Sequence, residues 1–382
     1  MSRRKAKGKG GDKHRASFRK KHELRRRKRD VTREYLADDD ALHDTPQSER
    51  VSGKGELSRK RTVRGAVVAS RETSGFEVLP EVDLSTCLPG RVLAVYGLKS
   101  RVELDDGRTL QCTTRRLLKT LSTDERHVVV AGDRVMVRPA NQQEGMIERI
   151  EPRTTALART VRGKRHVLVA NIEQMFIIGS LAQPVLKPNL VDRFLVAAEA
   201  YRIAPVVCFN KIDLVEPAEF VSTAGVYGQL GYPVLFLSAE TGAGIERLRA
   251  MIVGRRSVVV GQSGVGKSSL LNAVEPGLGL RVRAVSRESE KGRHTTTAAR
   301  LVRLAAGGYI LDTPGIRQWQ LWDVNAEEIA GYFREFRPYV SHCRFPDCTH
   351  VHEEGCAVKA AVGSGHIDLR RYDSYCHLVR GD

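Results

Sequence analysis

No stretch of this chain approaches the roughly 18 consecutive apolar residues that a bilayer span requires. The basic N-terminus is followed by no apolar segment of the kind a secretory signal carries. A membrane protein is therefore not expected, and the cytoplasm is the expected compartment. Cysteine is scarce and unevenly spread. Three of the seven, Cys343, Cys348 and Cys356, crowd one short stretch while the rest are scattered, which argues against a disulfide framework and suits a metal site. Acidic residues are outnumbered, 45 against 63 Lys and Arg, for a formal net charge of +18. That shortfall is concentrated at one end, since residues 1–30 hold 15 Lys and Arg against Asp12, Glu23 and Asp30. The same segment has almost no apolar side chains with which to offset chain entropy, so residues 1–61 are expected to form a disordered basic tail. Such a tail binds RNA or DNA by releasing counterions; a solvated appendage that only aids solubility is the plainer alternative.

At 382 residues the chain exceeds what one core ordinarily supports, and two or three folded units are expected. From Thr62 to Arg153 short β-rich runs alternate with turn signals, with Asp106-Gly107 between two alternating strands as the strongest hairpin signal. About five short strands in residues 62–155 suggest a small barrel of OB-like order, a fold whose open face commonly binds RNA. A barrel serving only as a spacer would leave the same pattern.

Apolar Ser257-Val258-Val259-Val260 runs into Gly261-Gln262-Ser263-Gly264-Val265-Gly266-Lys267-Ser268-Ser269 and then a helix-like Leu270-Leu271-Asn272-Ala273. This is GxxxxGK[ST] in a strand-loop-helix context. Glycines let successive N–H groups turn inward on phosphate, and the helix N-terminus adds positive partial charge. Lys267 is placed to reach the β and γ phosphates as a catalytic charge, and the Ser268 hydroxyl to coordinate Mg²⁺.

A P-loop does not choose between ATP and GTP. The choice falls to a buried-strand run, Ala204 to Phe209, that ends in Asn210-Lys211-Ile212-Asp213. An acceptor-only Asp213 carboxylate takes two hydrogen bonds from guanine N1–H and N2–H₂, a donor pair adenine does not offer. Asn210 and the Lys211 stem would brace the base. A second strand, Pro233 to Leu237, ends in Ser238-Ala239-Glu240, placed to give a backbone N–H to guanine O6.

Beyond the P-loop, Gly292-Arg293-His294-Thr295-Thr296-Thr297 lies in a polar connection, and Tyr309-Ile310-Leu311 leads into Asp312-Thr313-Pro314-Gly315. Asp312 at a strand end would hold Mg²⁺ through water, the Gly315 N–H would sense the γ-phosphate, and one threonine, Thr296 foremost, would complete the metal shell. The guanine elements thus precede the phosphate elements, the reverse of the common order. Only 67 residues follow Gly315 and none carries a second NKxD, so the early one must serve and the domain is circularly permuted. With this combination of motifs the chain, from about Gly90 to Cys376, resembles the circularly permuted GTPase family of ribosome small subunit-dependent GTPase A, RsgA or YjeQ.

Ile316 follows Gly315 where a Ras-like enzyme carries its water-orienting glutamine. The resemblance implies that another group does this work, with His294 the catalytic candidate; an imidazole that merely meets RNA or solvent is the alternative. Cys343-x₄-Cys348-x-His350-x₅-Cys356 offers three thiolates and one imidazole, enough for one closed, structural tetrahedral Zn²⁺. His342 and His352 compete as ligands, and the family pattern selects His350; Glu354 stands where the family often has proline. The expected architecture is multi-domain: the tail, the OB-like barrel, a permuted P-loop α/β domain over 156–335, and a zinc-binding helical domain over 336–382. The resemblance implies a monomeric GTP hydrolase, converting GTP to GDP, that binds the small ribosomal subunit and its rRNA late in assembly and is stimulated by that particle. The competing readings are a GTPase with another RNA substrate and an RNA-binding factor that uses GTP only as a conformational ligand.

Overall fold

The computed structural model describes residues 13–17, 60–67, 78–120, 128–161, 164–280, 299–312 and 324–381. His294, Thr296 and Gly315 lie outside the described residues. The first strands are β1 (Lys13–Ser17), β2 (Lys60–Val67) and β3 (Val78–Pro80), which form a three-stranded sheet in the order β1-β2-β3. The segment read as a disordered arm thus contributes one paired strand, with Lys13 opposite Arg64 and Ser17 opposite Lys60. Composition carries no sign of this because the pairing is between backbones far apart in sequence, 51 residues for Lys13 with Arg64 and 43 for Ser17 with Lys60.

Next come β4 (Leu88–Tyr96), β5 (Lys99–Leu104), β6 (Thr109–Thr114), the short helix α1 (Arg116–Thr120), β7 (Arg134–Pro139) and β8 (Glu144–Ile150). They pair as β4-β5-β6-β8-β7, and β7 returns to β4, so five strands close a barrel with a helix between the third and fourth. This is the OB order, and it removes the open edges a flat sheet would present. Alternation along each strand puts Val92, Val102, Leu110, Val135, Val137 and Ile147 inside. Gly107, at φ +88°, makes the turn between β5 and β6, where its N–H donates to Leu104 O at 2.9 Å. The hairpin β9 (Ala156–Val161) and β10 (Lys164–Ala170) leads out of the barrel.

The α/β unit runs β11 (Gln174–Ser180), α2 (Pro188–Ala200), β12 (Ala204–Asn210), α3 (Val221–Gln229), β13 (Val234–Leu237), α4 (Ile245–Ile252), β14 (Arg256–Val260), α5 (Lys267–Val274), β15 (Arg300–Arg303) and β16 (Tyr309–Asp312). Its sheet order is β13-β12-β11-β14-β16-β15, parallel except for β15. Helices cover both faces, as near-continuous apolar parallel strands require. One face packs Phe194, Leu195 and Tyr227 of α2 and α3, and the other packs Leu248, Ile252, Leu270 and Leu271 of α4 and α5. All seven residues of β11 are buried. The barrel continues this sheet through the pairing of Arg300 with Ala94.

The C-terminal unit consists of α6 (Ala326–Tyr332), α7 (Arg337–Val340), α8 (Ala357–Gly363) and α9 (Leu369–Arg380) around Phe333, Phe336 and Tyr375. It docks on α2. Arg371, 2 % exposed at its side chain, donates to Asp192 Oδ1 at 2.5 Å and to Glu335 Oε1 at 2.6 Å, and its guanidinium carbon lies 4.4 Å from the Phe333 ring centroid. Arg334 and Arg337 add bonds to Glu199 at the far end of α2. A buried pair stripped of one partner leaves an uncompensated charge, so this clamp fixes the helical unit against the α/β unit. No helix among the described residues is long and apolar enough to cross a membrane.

Candidate functional site

β14 delivers the chain into residues 261–266, and α5 begins at Lys267 with no side-chain cap on its first N–H groups. Uncapped N–H groups at a helix start suit an anion. The loop is tight enough to require glycine at two positions. At Gly261, φ +143°, a Cβ would sit 2.2 Å from Ile178 O; at Gly266, φ +96°, it would sit 2.3 Å from Asn210 Nδ2. Lys267 Nζ donates to Gly261 O at 2.9 Å and Gln262 O at 2.7 Å, so the ammonium is folded onto the same loop that it would share with phosphate.

Asn210, the last residue of β12, is 1 % exposed and donates from Nδ2 to Val265 O at 2.8 Å. One side chain thereby ties the NKxD strand to the P-loop, and its Oδ1 is a buried acceptor with no partner among the described residues. Lys211 follows in the left-handed region, φ +67°, and its ammonium donates to Gln183 O in the loop before α2. Ile212 opens the short turn that carries Asp213 outward. Asp213 Oδ1 accepts from Ser238 Oγ at 2.5 Å, so one oxygen of the carboxylate is held at the end of β13. Ser238 Oγ in turn accepts from the N–H groups of Glu240 and Thr241, at 3.2 and 3.1 Å. The Ser238 N–H is taken by Ala243 O at 3.0 Å, which leaves Ala239 as the residue of that turn to offer an N–H to a base. Gly244 makes the turn possible: at φ +72° a Cβ there would meet Phe236 O at 2.4 Å.

The parallel pairing of β14 with β16, Val258 opposite Leu311, sets Asp312 at the strand end beside the P-loop strand. Of the sequence-predicted nucleotide residues, Asn210 to Asp213, Ser238, Ala239, the loop from Gly261 to Gly266 and Lys267 to Ser269 are thus gathered at the C-terminal ends of neighbouring parallel strands, where open α/β sheets bind ligands. Sequence reasoning missed Gln183, because a backbone carbonyl leaves no mark in a motif.

In the C-terminal unit the ligand atoms of Cys343, Cys348, His350 and Cys356 all lie within 4.8 Å of one another. His350 Nδ1 lies 3.4 Å from Cys343 Sγ and 3.5 Å from Cys356 Sγ, and those two sulfurs are 3.9 Å apart. Tetrahedral bonds of about 2.3 Å to sulfur and 2.0–2.1 Å to nitrogen require separations of about 3.8 and 3.6 Å, so the four residues fit one metal ion. Burial lowers the proton affinity of His350, which favours the neutral imidazole a metal needs. The histidine sits at φ +58°, a strained conformation held by Tyr372 Oη donating to its carbonyl at 2.9 Å and Tyr375 Oη donating to Thr349 O at 2.6 Å. His352 is exposed and lies against Glu353 instead.

Comparison with known proteins agrees with this arrangement. A family model described as RsgA GTPase matches residues 150–322. The small ribosomal subunit biogenesis GTPase RsgA of Azotobacter vinelandii is 41% identical over 326 residues, covering 83% of this chain and 92% of that protein. The crystal structure of YjeQ from Thermotoga maritima superposes with a TM-score of 0.64 at 33% identity, covering 77% of this chain and 98% of that one. YloQ, described as a circularly permuted GTPase, superposes with a TM-score of 0.62 at 28% identity over 79% of this chain and 97% of its own. Motif order, sheet order and extended sequence identity converge, and the chain belongs to the RsgA family of circularly permuted GTPases.

Proposed function

We propose that this protein hydrolyses GTP to GDP and phosphate while bound to the small ribosomal subunit during its biogenesis, the role carried in the name of its Azotobacter relative. The observation that carries the nucleotide assignment is the Asn210 to Val265 bond at 2.8 Å, which makes one site of motifs 55 residues apart. In that site Asp213 takes the guanine N–H pair, Ala239 its O6, and the N–H groups from Gly261 to Ser269 the phosphates. Lys267 exchanges its two carbonyl partners for β and γ phosphate oxygens, charge placed where the transition state develops it. Mg²⁺ would be held by Ser268, Thr296 and Asp312 and would neutralise phosphate charge. Gly315 senses the γ-phosphate and His294 positions the attacking water. The Cys343, Cys348, His350 and Cys356 cluster holds one structural zinc, which leaves no open position for substrate.

The basic arm supports an RNA partner, because 15 cationic residues in the first 30 match a polyanion rather than an apolar protein face. We place the protein in the cytoplasm as a monomer. Phosphate release from GTP and from ATP, with and without purified small subunits, is the deciding experiment. GTP-selective turnover that rises on adding subunits is the expected result; turnover indifferent to subunits removes the particle from the reading. His294→Ala should abolish the stimulated rate while leaving GTP affinity within about twofold of the parent.

A further inference from the structure

The peptide units around His350 belong to no helix or strand, and side chains satisfy them instead. Glu353 bends its carboxylate back over the turn that precedes it. One oxygen, Oε1, accepts from the Thr349 N–H at 2.9 Å and from Thr349 Oγ1 at 2.5 Å; the other, Oε2, accepts from the N–H groups of Val351 and His352 at 3.1 and 3.2 Å. The N–H left in that stretch, of His350, donates to the Cys348 thiol. The carbonyl side is closed by α9, whose Tyr375 and Tyr372 hydroxyls donate to Thr349 O and His350 O. The Glu353 backbone is itself anchored, since Lys359 Nζ of α8 donates to its carbonyl at 3.2 Å.

Two other roles for Glu353 fail on this geometry. It is not a further ligand, because four donors already occupy its two oxygens and it is not among the residues whose ligand atoms come together. Nor is it a surface acid paired with a cation. Its side chain is 13% exposed, and the imidazole beside it, His352 Nε2 at 3.7 Å from Oε1, is beyond hydrogen-bond distance. What the carboxylate does is fix the backbone. His350 sits at φ +58°, a conformation an L-residue holds only when its surroundings impose it, and the carboxylate binds the N–H on either side of it. That turn sends the buried His350 ring inward, with Nδ1 3.4 and 3.5 Å from two of the cysteine sulfurs, and leaves the His352 ring 80% exposed.

We propose that Glu353 is a positioning residue of the metal site: by holding the N–H groups of Thr349, Val351 and His352 it makes His350, and not His352, the imidazole that meets the three cysteines. The inference rests on the zinc reading above and adds which group selects the histidine. A ligand whose orientation is fixed in advance binds metal more tightly than one that must be ordered on binding. Without the carboxylate three backbone N–H donors lose their acceptor and nothing else on that side holds the turn. Zinc would then bind more weakly, and His352 or water would enter the shell in part.

The test uses the full chain, titrated with zinc against a chromophoric chelator and with cobalt, whose absorption reports the ligands and geometry around it. Glu353→Ala should bind zinc about 10- to 100-fold more weakly than the parent. Glu353→Gln, which keeps one acceptor oxygen, should lose less, and His352→Ala should bind as the parent does. At saturating cobalt the Glu353→Ala spectrum should depart from the parent's, while that of His352→Ala matches it. Zinc affinity in Glu353→Ala equal to the parent's overturns the assignment and leaves the zinc reading standing. Weaker binding with the parent's cobalt spectrum overturns it too, because it marks a residue that only stabilises the unit. A His352→Ala variant that loses zinc shows that His350 is not the selected ligand and overturns it as well. A parent chain that takes up no zinc removes both the assignment and the reading beneath it. If Glu353→Ala does not fold, Glu353→Gln decides by the same two readouts.

Discussion

Tyr309 Oη donates to Glu103 Oε2 at 2.5 Å, joining the first residue of β16 to the barrel strand β5 across 206 residues of sequence. Glu103 is buried, and its other oxygen accepts from Arg303 of β15 at 2.6 Å. Arg91 of β4 lies over the Tyr309 ring at 5.6 Å. Burial and the adjacent carboxylate both push the Tyr309 phenol upward from its ordinary value, so it remains the donor across the physiological range. The strand that ends in Asp312 is therefore held by the barrel as well as by its own sheet.

Replacing Tyr309 by Phe removes one hydrogen bond to a buried carboxylate and should lower stability by about 1–3 kcal/mol. Thermal unfolding of the parent and Tyr309→Phe measures it. The same variant should loosen the barrel against β16, read as faster amide exchange in residues 300–312, whereas an unchanged exchange pattern would show that the Arg300 to Ala94 pairing alone holds the junction.

Asp213→Asn replaces an acceptor pair with a mixed amide. GTP affinity should fall about tenfold or more and preference should move toward xanthine nucleotides, which keep the N1–H donor but present a C2 carbonyl acceptor where guanine has its amino donor. Competition binding with GTP, ATP and XTP reads the change. Because Ser238 Oγ donates to Asp213 Oδ1, Ser238→Ala should lower GTP affinity by less and leave the preference for guanine over xanthine in place.

Gly266→Ala should damage two motifs at once. The added methyl meets Asn210 Nδ2 at 2.3 Å and forces an L-residue to φ +96°, a strain of about 1–3 kcal/mol. Nucleotide affinity should fall by about tenfold or more, and the melting temperature should fall with it. Gly277→Ala, with only the Glu275 carboxylate near its Cβ at 3.6 Å, serves as the control and should leave binding unchanged.

Metal analysis should give one zinc per chain, lost in Cys348→Ala. Chelation should expose residues 324–381 to rapid amide exchange, because the metal would tie Cys343, Cys348, His350 and Cys356 to one point, while basal GTP turnover remains. A metal-free protein with unchanged exchange in that segment would refute the structural role.

The motifs were legible in the sequence because each acts through its own backbone. A glycine-rich turn before a helix, an acceptor at a strand end and four ligands within fourteen residues carry their geometry with them, and their order along the chain disclosed the permutation. What joins them was not legible. Asn210 to Val265, Lys211 to Gln183, and Arg371 to Asp192 at a separation of 179 residues depend on which strands and helices become neighbours. The pairing of Lys13–Ser17 with β2 was hidden likewise, since its charge pattern resembles that of an unpaired arm. Residue identity alone determined the chemistry available, because phosphate, guanine and metal each demand particular atoms at short spacing. Only the tertiary structure decided that these atoms face one another, because burial and approach between distant segments are properties of the packed chain.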